Sequence, residues 1–320
     1  MKTLIEEIAG IVRNEDEFLV LTHVQPDGDG FGAMLAMGHL LEALGKKYTL
    51  AVANTGDIPP QYKFLPGADR VKAPESPSGK VLIALDAANL SRLGTLATEL
   101  DRYSITINVD HHPDNSAFAK INWVDPAASS ASEMIYDLWL QVGMAVSKAA
   151  ALCIYVGMLT DTGRWQYSNT TGRCLEKAAK LLDAGVKPIE VFRRIFESYS
   201  VEWFKLLSVG LQKAVFDQEA GLAHAVISQS DLKATGANMA ETENLVDWLR
   251  AVAGINVAMV LKETRQGEIK VSLRSQDPID VGLLARGFGG GGHRNASGFI
   301  SKDEPASIVR NVKKWLTDSS

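Results

Sequence analysis

The stretch 23–30 carries three side chains that can bind a metal ion or move a proton. His23, Asp27 and Asp29 follow a short apolar run, residues 19–22, and stand in a turn rich in proline and glycine. Two carboxylates one residue apart repel each other, so keeping both ionised inside a turn is costly without a cation between them. The pattern therefore predicts a metal site where a strand ends.

Three other interpretations compete with a metal site at this turn. An EF-hand calcium loop beginning at Asp27 is excluded, because Phe31 and Gly38 stand where it needs an oxygen ligand and a glutamate. The glycine pattern that begins at Gly28 resembles a dinucleotide-binding loop, but Asp29 would then face the pyrophosphate. A helix cap explains one aspartate and leaves the second aspartate and the histidine unexplained.

Two further apolar runs end in residues of the same chemical types. One run ends in Asp86, and the other ends in Asp110 and continues into His111 and His112. Strands that alternate with helical segments predict an α/β fold around a parallel sheet. Ligands of such sheets gather at the carboxyl ends of the strands. Asp86 alone could also be a helix cap, but three strand ends of this kind favour a shared site.

A fourth acid, Asp161, follows the predicted helix 148–160. A carboxylate at this end of a helix meets the negative end of the helix dipole. It therefore needs a compensating cation, which is either a bound metal ion or the side chain of Arg164.

A second stretch, residues 289–294, combines four glycines with a histidine and an arginine. Successive glycine N–H groups can converge on an anion, and the two basic side chains add charge, so we predict a phosphate-binding segment. A flexible connector before a strand, with a solvated Arg274, is the alternative. The candidate substrate-binding residues are Arg274, Gly290, Gly291, Gly292, His293 and Arg294.

Length and pattern predict two domains of different α/β type. The chain has 320 residues, of which 46% are hydrophobic and 22% charged, as in a globular protein. We predict a metal-binding domain over residues 1–187, a helical linker over 188–214, and a smaller domain with a mixed sheet over 215–320. Residues 218–320 hold 12 basic and 12 acidic side chains, so the net charge of −5 arises in the first part of the chain.

Cysteine use and hydropathy predict the compartment. The only two cysteines, Cys153 and Cys174, form no Cys-x-x-Cys motif and are expected to be buried free thiols. Glu6 and Glu7 stand where a signal peptide needs an apolar core, and the longest uncharged apolar segment, 149–159, is too short to cross a bilayer. We therefore expect a cytoplasmic protein that does not bind membranes.

Five motifs in this chain resemble those of the DHH phosphoesterase superfamily and of its C-terminal DHH-associated domain. They are, in order, His23 to Asp29, Leu85-Asp86, Asp110-His111-His112, Thr160-Asp161 and Gly289 to Gly298. The resemblance covers nearly the whole chain and implies a Rossmann-like parallel sheet in the first domain. The two-domain length is most similar to the bifunctional oligoribonuclease and pAp phosphatase group.

The resemblance also implies two manganese ions, for which magnesium or another divalent ion could substitute. It implies that one ion is held by His23, Asp27 and Asp86 and the other by Asp29, Asp86, His111 and Asp161. Carboxylates and imidazoles suit manganese, and a set without thiolates gives little reason for zinc.

Three further residues receive roles from the same resemblance. His112 is expected to face a substrate phosphate, and Asp110 and Asn108 are expected to orient the ligands, although Asp110 could simply cap the turn. The chain departs from the family pattern at Gln25, where the family often has asparagine or aspartate, and at Phe31, where an aliphatic residue is usual.

The implied activity is hydrolysis of short oligoribonucleotides to mononucleotides and of pAp to AMP. A hydroxide activated by the two metals would attack phosphorus in line with the leaving oxygen, while the second domain holds the substrate. A cyclic- or linear-dinucleotide phosphodiesterase, an inorganic pyrophosphatase, a long-strand exonuclease and a non-catalytic nucleotide-binding module remain alternatives. A homodimer is expected from general frequency alone.

Overall fold

The computed structural model covers most of the chain at the level of individual side chains. The residues that it describes are 3–73, 80–276 and 278–318. Within them, the backbone alone is described for Asp57, Glu99 and His293. The candidate substrate-binding residue His293 therefore has a described place in a strand, while its side chain lies outside the described part of the structure.

The chain divides into two compact units, Met1–Ser198 and Tyr199–Ser320. We call them the first unit and the second unit. The division falls within residues 188–214, the segment predicted to be a helical linker. The proposed limits of the flanking domains, 187 and 215, stay predictions.

A five-stranded parallel sheet forms the centre of the first unit. Its strands are β1 (Glu17–Thr22), β2 (Lys47–Ala51), β3 (Val81–Leu85), β4 (Ile105–Asp110) and β5 (Ile121–Val124). They lie in the order β2-β1-β3-β4-β5, and all pairs are parallel. Strands buried on both faces need continuous apolar runs, and β3 is buried at every position. The predicted α/β class and parallel sheet are confirmed.

In the described part of the first unit, six α-helices accompany this sheet. They are α1 (Leu4–Asn14), α2 (Gly28–Ala43), α3 (Ala131–Val142), α4 (Lys148–Asp161), α5 (Gly172–Asp183) and α6 (Pro188–Phe196). Alternate strand residues such as Val20 and Ile83 pack into the main core with these helices. Their neighbours Leu19 and Leu82 pack on the opposite face, against 3-10 turns of the segment Leu90–Arg102.

A six-stranded mixed sheet forms the second unit. Its strands are β6 (Val215–Asp217), β7 (Leu222–Ile227), β8 (Val257–Glu263), β9 (Ile269–Ser275), β10 (Gly291–His293) and β11 (Ala296–Ser301). The order is β10-β11-β9-β8-β7-β6, with β7 and β8 parallel and the other pairs antiparallel. The mixed sheet predicted for the C-terminal part is confirmed.

Helices cover both faces of this second sheet. They are α7 (Val201–Gln212), α8 (Gln229–Thr235), α9 (Leu245–Arg250), α10 (Val281–Gly287) and α11 (Pro305–Asp318). One apolar core joins α7, α8 and α9 to one face, and a second joins α10 and α11 to the other.

Cys153 and Cys174 are both buried and free, as predicted. Among the described residues, no helix combines the length and the hydropathy that crossing a membrane requires.

Candidate active site

Three neighbouring strands deliver the first candidate residues to one edge of the parallel sheet. His23 follows β1, Asp86 follows β3, and His111 follows β4. Because β3 lies between β1 and β4 and all three run in the same direction, their carboxyl ends meet at this edge. The convergence predicted from the three strand ends is therefore present in the structure.

The turn after β1 is shaped by Asp27 and its hydrogen bonds. Asp27 Oδ1 accepts from the N–H groups of Asp29 and Gly30, both at 3.0 Å, and so caps α2. Gly30 lets the backbone at the start of α2 lie close to Thr22 and His23. A Cβ at this position would lie 2.4 Å from Thr22 Oγ1 and 2.9 Å from the ring of His23. The helix consequently begins at Gly28 and presents Asp29 in its first turn.

The N-terminus of α3 holds the carboxylate of Asp29. The N–H groups of Ala131 and Ser132 donate to its two oxygens at 2.6 and 2.8 Å. Ser130 caps the helix by accepting from the N–H of Glu133 at 3.0 Å. The positive end of a helix dipole is a favourable place for a carboxylate, so Asp29 is fixed in one orientation.

A first group of ligand atoms forms around His23. Its Nε2 lies 3.6 Å from Asp27 Oδ1 and 3.5 Å from Asp86 Oδ2. Burial acts to lower the pKa of His23, but the two carboxylates outweigh it and raise the pKa to about 10. The three side chains could hold a cation between them.

A second group forms around His111. Its Nε2 lies 3.9 Å from Asp29 Oδ2, 3.6 Å from Asp86 Oδ1 and 3.6 Å from Asp161 Oδ2. Burial raises the pKa of Asp161 to about 7, against the lowering effect of His111. Burial and the charges of Asp86 and Asp161 raise the pKa of Asp29 well above its usual range. Proton uptake by crowded carboxylates is the response expected where a cation would otherwise balance their charge.

Asp86 takes part in both groups, through different oxygens. Oδ2 faces His23, and Oδ1 faces His111. Oδ1 is buried and accepts no hydrogen bond from any described residue. Burial alone would raise the pKa of Asp86, but the surrounding histidines hold the pKa well below its usual range. A buried, ionised oxygen without a donor is the arrangement expected of a bridging metal ligand.

The donor set fits divalent cations that prefer oxygen and imidazole. All six candidate metal ligands lie at this edge, as His23, Asp27, Asp29, Asp86, His111 and Asp161. The separations of 3.5–3.9 Å between ligand atoms leave room for ions about 2.1 Å from each ligand. No thiolate belongs to these groups among the described residues, which distinguishes them from structural zinc sites.

His112 and Asp110 form a supporting pair beside these groups. His112 Nδ1 donates to Asp110 Oδ1 at 2.7 Å and lies 3.6 Å from Asp86 Oδ1. Burial acts to lower the pKa of His112, but Asp110 and Asp86 raise it to about 9. Asn115 donates to the other oxygen of Asp110 at 2.6 Å and to Asn108 Oδ1 at 2.8 Å. The ring of His112 is thus held in place, and it could also serve as a third ligand beside Asp86 and His111.

The second unit contains the candidate substrate-binding residues. Arg274 Nε pairs with Asp247 Oδ1 at 3.3 Å, so its guanidinium is held by a carboxylate. The strand register pairs Arg274 with Ala296, and Ala296 in turn with His293. Arg294 donates to the carbonyl of Pro278 at 2.7 Å. The backbone therefore brings the arginine of β9 and the glycine-rich segment to the same part of this sheet.

Some N–H groups of the glycine-rich segment are hydrogen-bonded within the fold and are not free to bind an anion. The N–H groups of Gly289 and Gly290 donate to carbonyls at the end of α10, at 3.0 and 2.8 Å. Residues 291–293 form β10, paired with β11. Glycine is required at Gly290, because a Cβ there would lie 2.2 Å from the carbonyl oxygen of Gly298. Two of the predicted anion donors are thus engaged in the fold, because the segment ends a helix and starts a hairpin.

Several residues around the metal ligands escaped the sequence analysis. They are Arg92, whose Nη2 lies 3.0 Å from His23 Nδ1; Asn115; Asn169, which donates to Asp161 Oδ2 at 3.3 Å; and the amides of Ala131 and Ser132. Only the last had a usable signal, since Ser130 and Glu133 have the spacing of a capping box before an apolar run.

Comparison with known families agrees with this geometry. The model of the DHH family, N-terminal domain, matches residues 17–158, and the model of the DHHA1 domain matches residues 221–318. The first match contains the turn after β1 and the ends of β3 and β4. The second contains the glycine-rich segment and Arg274.

Similar proteins extend over nearly the full length. A "Bifunctional oligoribonuclease and PAP phosphatase NrnA" of Thermus thermophilus is 33% identical over 93% of this chain and 88% of its own length. The protein of that name in Bacillus subtilis is 32% identical over 98% of both chains. The crystal structure of an exopolyphosphatase-related protein from Bacteroides fragilis has a TM-score of 0.91 and 25% identity, over 98% of this chain and 96% of that one. This chain therefore belongs to the DHH superfamily of phosphoester hydrolases, with a DHHA1 domain at its C-terminal end.

Proposed function

We propose that this protein is a manganese-dependent hydrolase that cleaves short oligoribonucleotides to mononucleotides and pAp to AMP. The observation that carries the proposal is the position of Asp86, whose two oxygens face two separate groups of ligand atoms. The names of the relatives in Thermus thermophilus and Bacillus subtilis support the choice of substrates.

In this proposal the two groups hold two manganese ions, with magnesium as a possible substitute. His23, Asp27 and Asp86 bind one ion, and Asp29, Asp86, His111 and Asp161 bind the other. When bound, such a pair supplies Lewis acidity that activates water and stabilises the charge of the phosphoryl oxygens. The capping of α2 by Asp27 and the helix amides at Asp29 keep the ligands in place before an ion arrives.

The chain's own residues position the substrate. His112, fixed through Nδ1 by Asp110, is proposed to donate a hydrogen bond from its ring to a phosphoryl oxygen. In the second unit, Arg274 and the segment 290–294 are the proposed substrate-binding residues. A guanidinium already aligned by a carboxylate loses less conformational freedom when it binds a phosphate.

A panel of substrates tests this function against the alternatives. Purified protein with manganese is given a short RNA, a long RNA, pAp, pyrophosphate and a cyclic and a linear dinucleotide, and products are separated by chromatography. We expect mononucleotides from the short RNA and AMP from pAp at the highest kcat/KM. Preference for pyrophosphate, a dinucleotide or long RNA would replace the proposed substrates, and binding without any product would indicate a non-catalytic module.

The variant Asp86→Asn tests the proposed centre. It keeps the shape of the side chain but removes its charge, and we expect kcat to fall by roughly 10³-fold or more. The control Asp183→Asn alters an exposed acid of α5, whose side chain is 74% exposed, and should leave the rate unchanged. Full turnover by the Asp86 variant would refute the assignment.

A further inference from the structure

A tight turn with a strained backbone follows the candidate ligand Asp161. Gly163, Arg164 and Trp165 have φ values of 54°, 64° and 65°, all in the left-handed region. A bulky residue such as tryptophan rarely adopts this conformation, which persists only where the surrounding structure enforces it. None of the roles proposed for the site involves this turn.

The turn brings Asn169 back to the end of α4. The carbonyl oxygen of Thr162 accepts from the N–H groups of Gln166 and Tyr167, at 2.9 and 3.0 Å, so the chain reverses within a few residues. Asn169 Nδ2 then donates to the carbonyl oxygen of Asp161 at 3.2 Å and to its Oδ2 at 3.3 Å. The strained turn therefore places an amide against a candidate metal ligand.

The same amide nitrogen also contacts a second segment. Asn169 Nδ2 donates to the carbonyl oxygen of Ser129 at 2.9 Å. Only the donor end of the amide fits this place, because an oxygen there would face three acceptor oxygens. Asn169 therefore joins Asp161 to the residue that precedes the N-cap of α3.

A buried ion pair fixes that residue at the start of α3. The N–H of Ser129 donates to Glu133 Oε2 at 2.8 Å. Glu133 is fully buried, and its Oε1 pairs with Arg173 Nε at 2.8 Å and with Lys177 Nζ at 2.9 Å, both on α5. A buried carboxylate with two cationic partners is held firmly, so the segment that Asn169 contacts has a fixed position.

The start of α3 consequently holds both acids of the group around His111. The first amides of this helix donate to the oxygens of Asp29, and the residue before its N-cap is joined to Asp161 through Asn169. The distance between the two acids is therefore set by one segment of backbone. Among the described residues, the hydrogen bonds of the Asn169 amide do not extend to His23.

We propose that Asn169 is a positioning residue which, by holding Asp161, sets the affinity for the ion beside His111. The affinity for the ion beside His23 does not depend on it. The inference rests on the two ions of the proposed function. A hydrogen bond from a supporting side chain fixes the orientation of a metal ligand, and the loss of such a partner lowers the affinity for the metal.

Two variants of Asn169 and one matched control test this role. Asn169→Leu has nearly the same shape without the amide, and Asn169→Ser is too short to reach the same acceptors. The control Asn122→Leu also removes a loop amide of the first unit, where Asn122 donates to the carbonyl oxygen of Ala119 at 2.6 Å and accepts from its N–H at 3.1 Å. Each protein is studied by calorimetric titration with manganese, by thermal denaturation in EDTA, and by anomalous scattering from crystals soaked in limiting manganese.

The proposal predicts a selective loss of one ion. Both variants of Asn169 should bind one of the two manganese ions roughly 10- to 100-fold more weakly than the wild type. The anomalous peak beside His111 should weaken, and the peak beside His23 should keep its height. Asn122→Leu should lower the Tm in EDTA but should bind both ions as tightly as the wild type.

Four results would overturn the inference. Affinity for both ions within twofold of the wild type, in either variant of Asn169, would exclude the role of the amide. An equal loss for both ions would make Asn169 a general support of the site. The same selective loss in Asn122→Leu would attribute the effect to destabilisation of the first unit. A wild type without an ion beside His111 would leave Asn169 nothing to position.

The metal measurements are independent of catalysis. A wild type that binds two ions but cleaves neither short RNA nor pAp would refute the proposed function alone. The selective loss of one ion in the variants of Asn169 would still support the positioning role.

Discussion

Asp86 adopts a backbone conformation that most side chains avoid. Its φ of 56° lies in the left-handed region, where a residue other than glycine costs on the order of 1–2 kcal/mol. Such strain persists where the surrounding structure enforces it, and here the same residue faces both groups of ligand atoms. The place of Asp86 at a strand end was predictable from the sequence. Its strain was not, since aspartate occurs at strand ends in relaxed conformations as well.

Gln25 has the same left-handed backbone conformation, but no benefit of this strain to the candidate site is evident. Its φ is 52°, and asparagine adopts this region several times more readily than most residues. We expect Gln25→Asn to raise the free energy of unfolding by roughly 0.5–1 kcal/mol, measured by urea denaturation. Gln218→Asn, at a turn residue without a positive φ, is the control and should change little. A destabilised Gln25 variant would mean that the glutamine side chain has a function of its own.

Side chains of the candidate site that lie outside strands and α-helices were the hardest to predict from the sequence. Arg92, Asn115 and Asn169 contact ligands or their supports, but each lies in a segment with no regular spacing. An arginine or asparagine in a loop is common, so residue type alone gave no signal. The six candidate ligands, in contrast, stand at strand or helix ends, where the pattern of apolar runs fixes their position.

Strands with long apolar runs were predicted from the sequence, and several shorter strands were not. The strands β1, β3 and β4 were predicted because their buried faces require continuous hydrophobic residues. The strands β5, β6 and β10 have three or four residues each and carry too little pattern to be recognised. The helix α11 was also missed, although Ile308, Val312 and Leu316 recur at helical spacing and are buried.

Close packing of α4 against α3 and α2 is needed to keep Asp29 in place. A Cβ at Gly157 of α4 would lie 2.0 Å from Ser132 Oγ and 2.8 Å from Asp29 Oδ1. We expect Gly157→Ala to lower the free energy of unfolding by about 1–3 kcal/mol and to weaken manganese binding, measured by thermal denaturation and calorimetric titration. Gly10→Ala, in α1 with open space around it, should instead stabilise by about 0.5–1 kcal/mol. If the Gly157 variant bound manganese with unchanged affinity, this packing would not be needed to keep Asp29 in place.

The pairing of β8 with β9 buries a lysine. Lys262 is fully buried, with Nζ 2.7 Å from Ser272 Oγ and 3.1 Å from Glu243 Oε1. Burial lowers its pKa to about 8, against the raising effect of Glu243. Between pH 8 and the ordinary lysine value of about 10.4, the unfolded chain binds more protons than the folded one. The contribution of Lys262 to stability therefore rises with pH through this interval.

Lys262→Met should remove that pH dependence. We expect the free energy of unfolding of the wild type to rise relative to the variant by up to about 3 kcal/mol between pH 8 and pH 10.4. Urea denaturation at several pH values measures this difference in the free energy of unfolding. For the control Lys302→Met, at an exposed position, the difference from the wild type should not change with pH. A difference between the wild type and Lys262→Met that does not change with pH would contradict the lowered pKa of Lys262.

At the scale of the whole molecule, two units divide the proposed functions. The candidate metal ligands belong to Met1–Ser198, and the candidate substrate-binding residues belong to Tyr199–Ser320. The change from helix-rich to strand-rich pattern predicted two domains. The position of the division at residue 198 was not predictable, because α6 and α7 follow each other without a linker of distinct composition.

Manganese should stabilise the first unit selectively. A ligand that binds only the folded state at 100 times its Kd contributes about 2.7 kcal/mol. We expect differential scanning calorimetry to show a higher Tm for the first unit with manganese, no change for the second, and reversal by EDTA. Asp86→Asn should remove the shift. An equal shift of both transitions would indicate that metal binding is not confined to the first unit.

The most direct measurement is a crystal structure of the protein soaked with manganese, with anomalous scattering recorded at the manganese edge. The account predicts two peaks about 3.5–4 Å apart, with one oxygen of Asp86 on each, His23 and Asp27 beside one, and Asp29, His111 and Asp161 beside the other. A single peak, or none, with Asp29 and His111 turned away from each other, would contradict it.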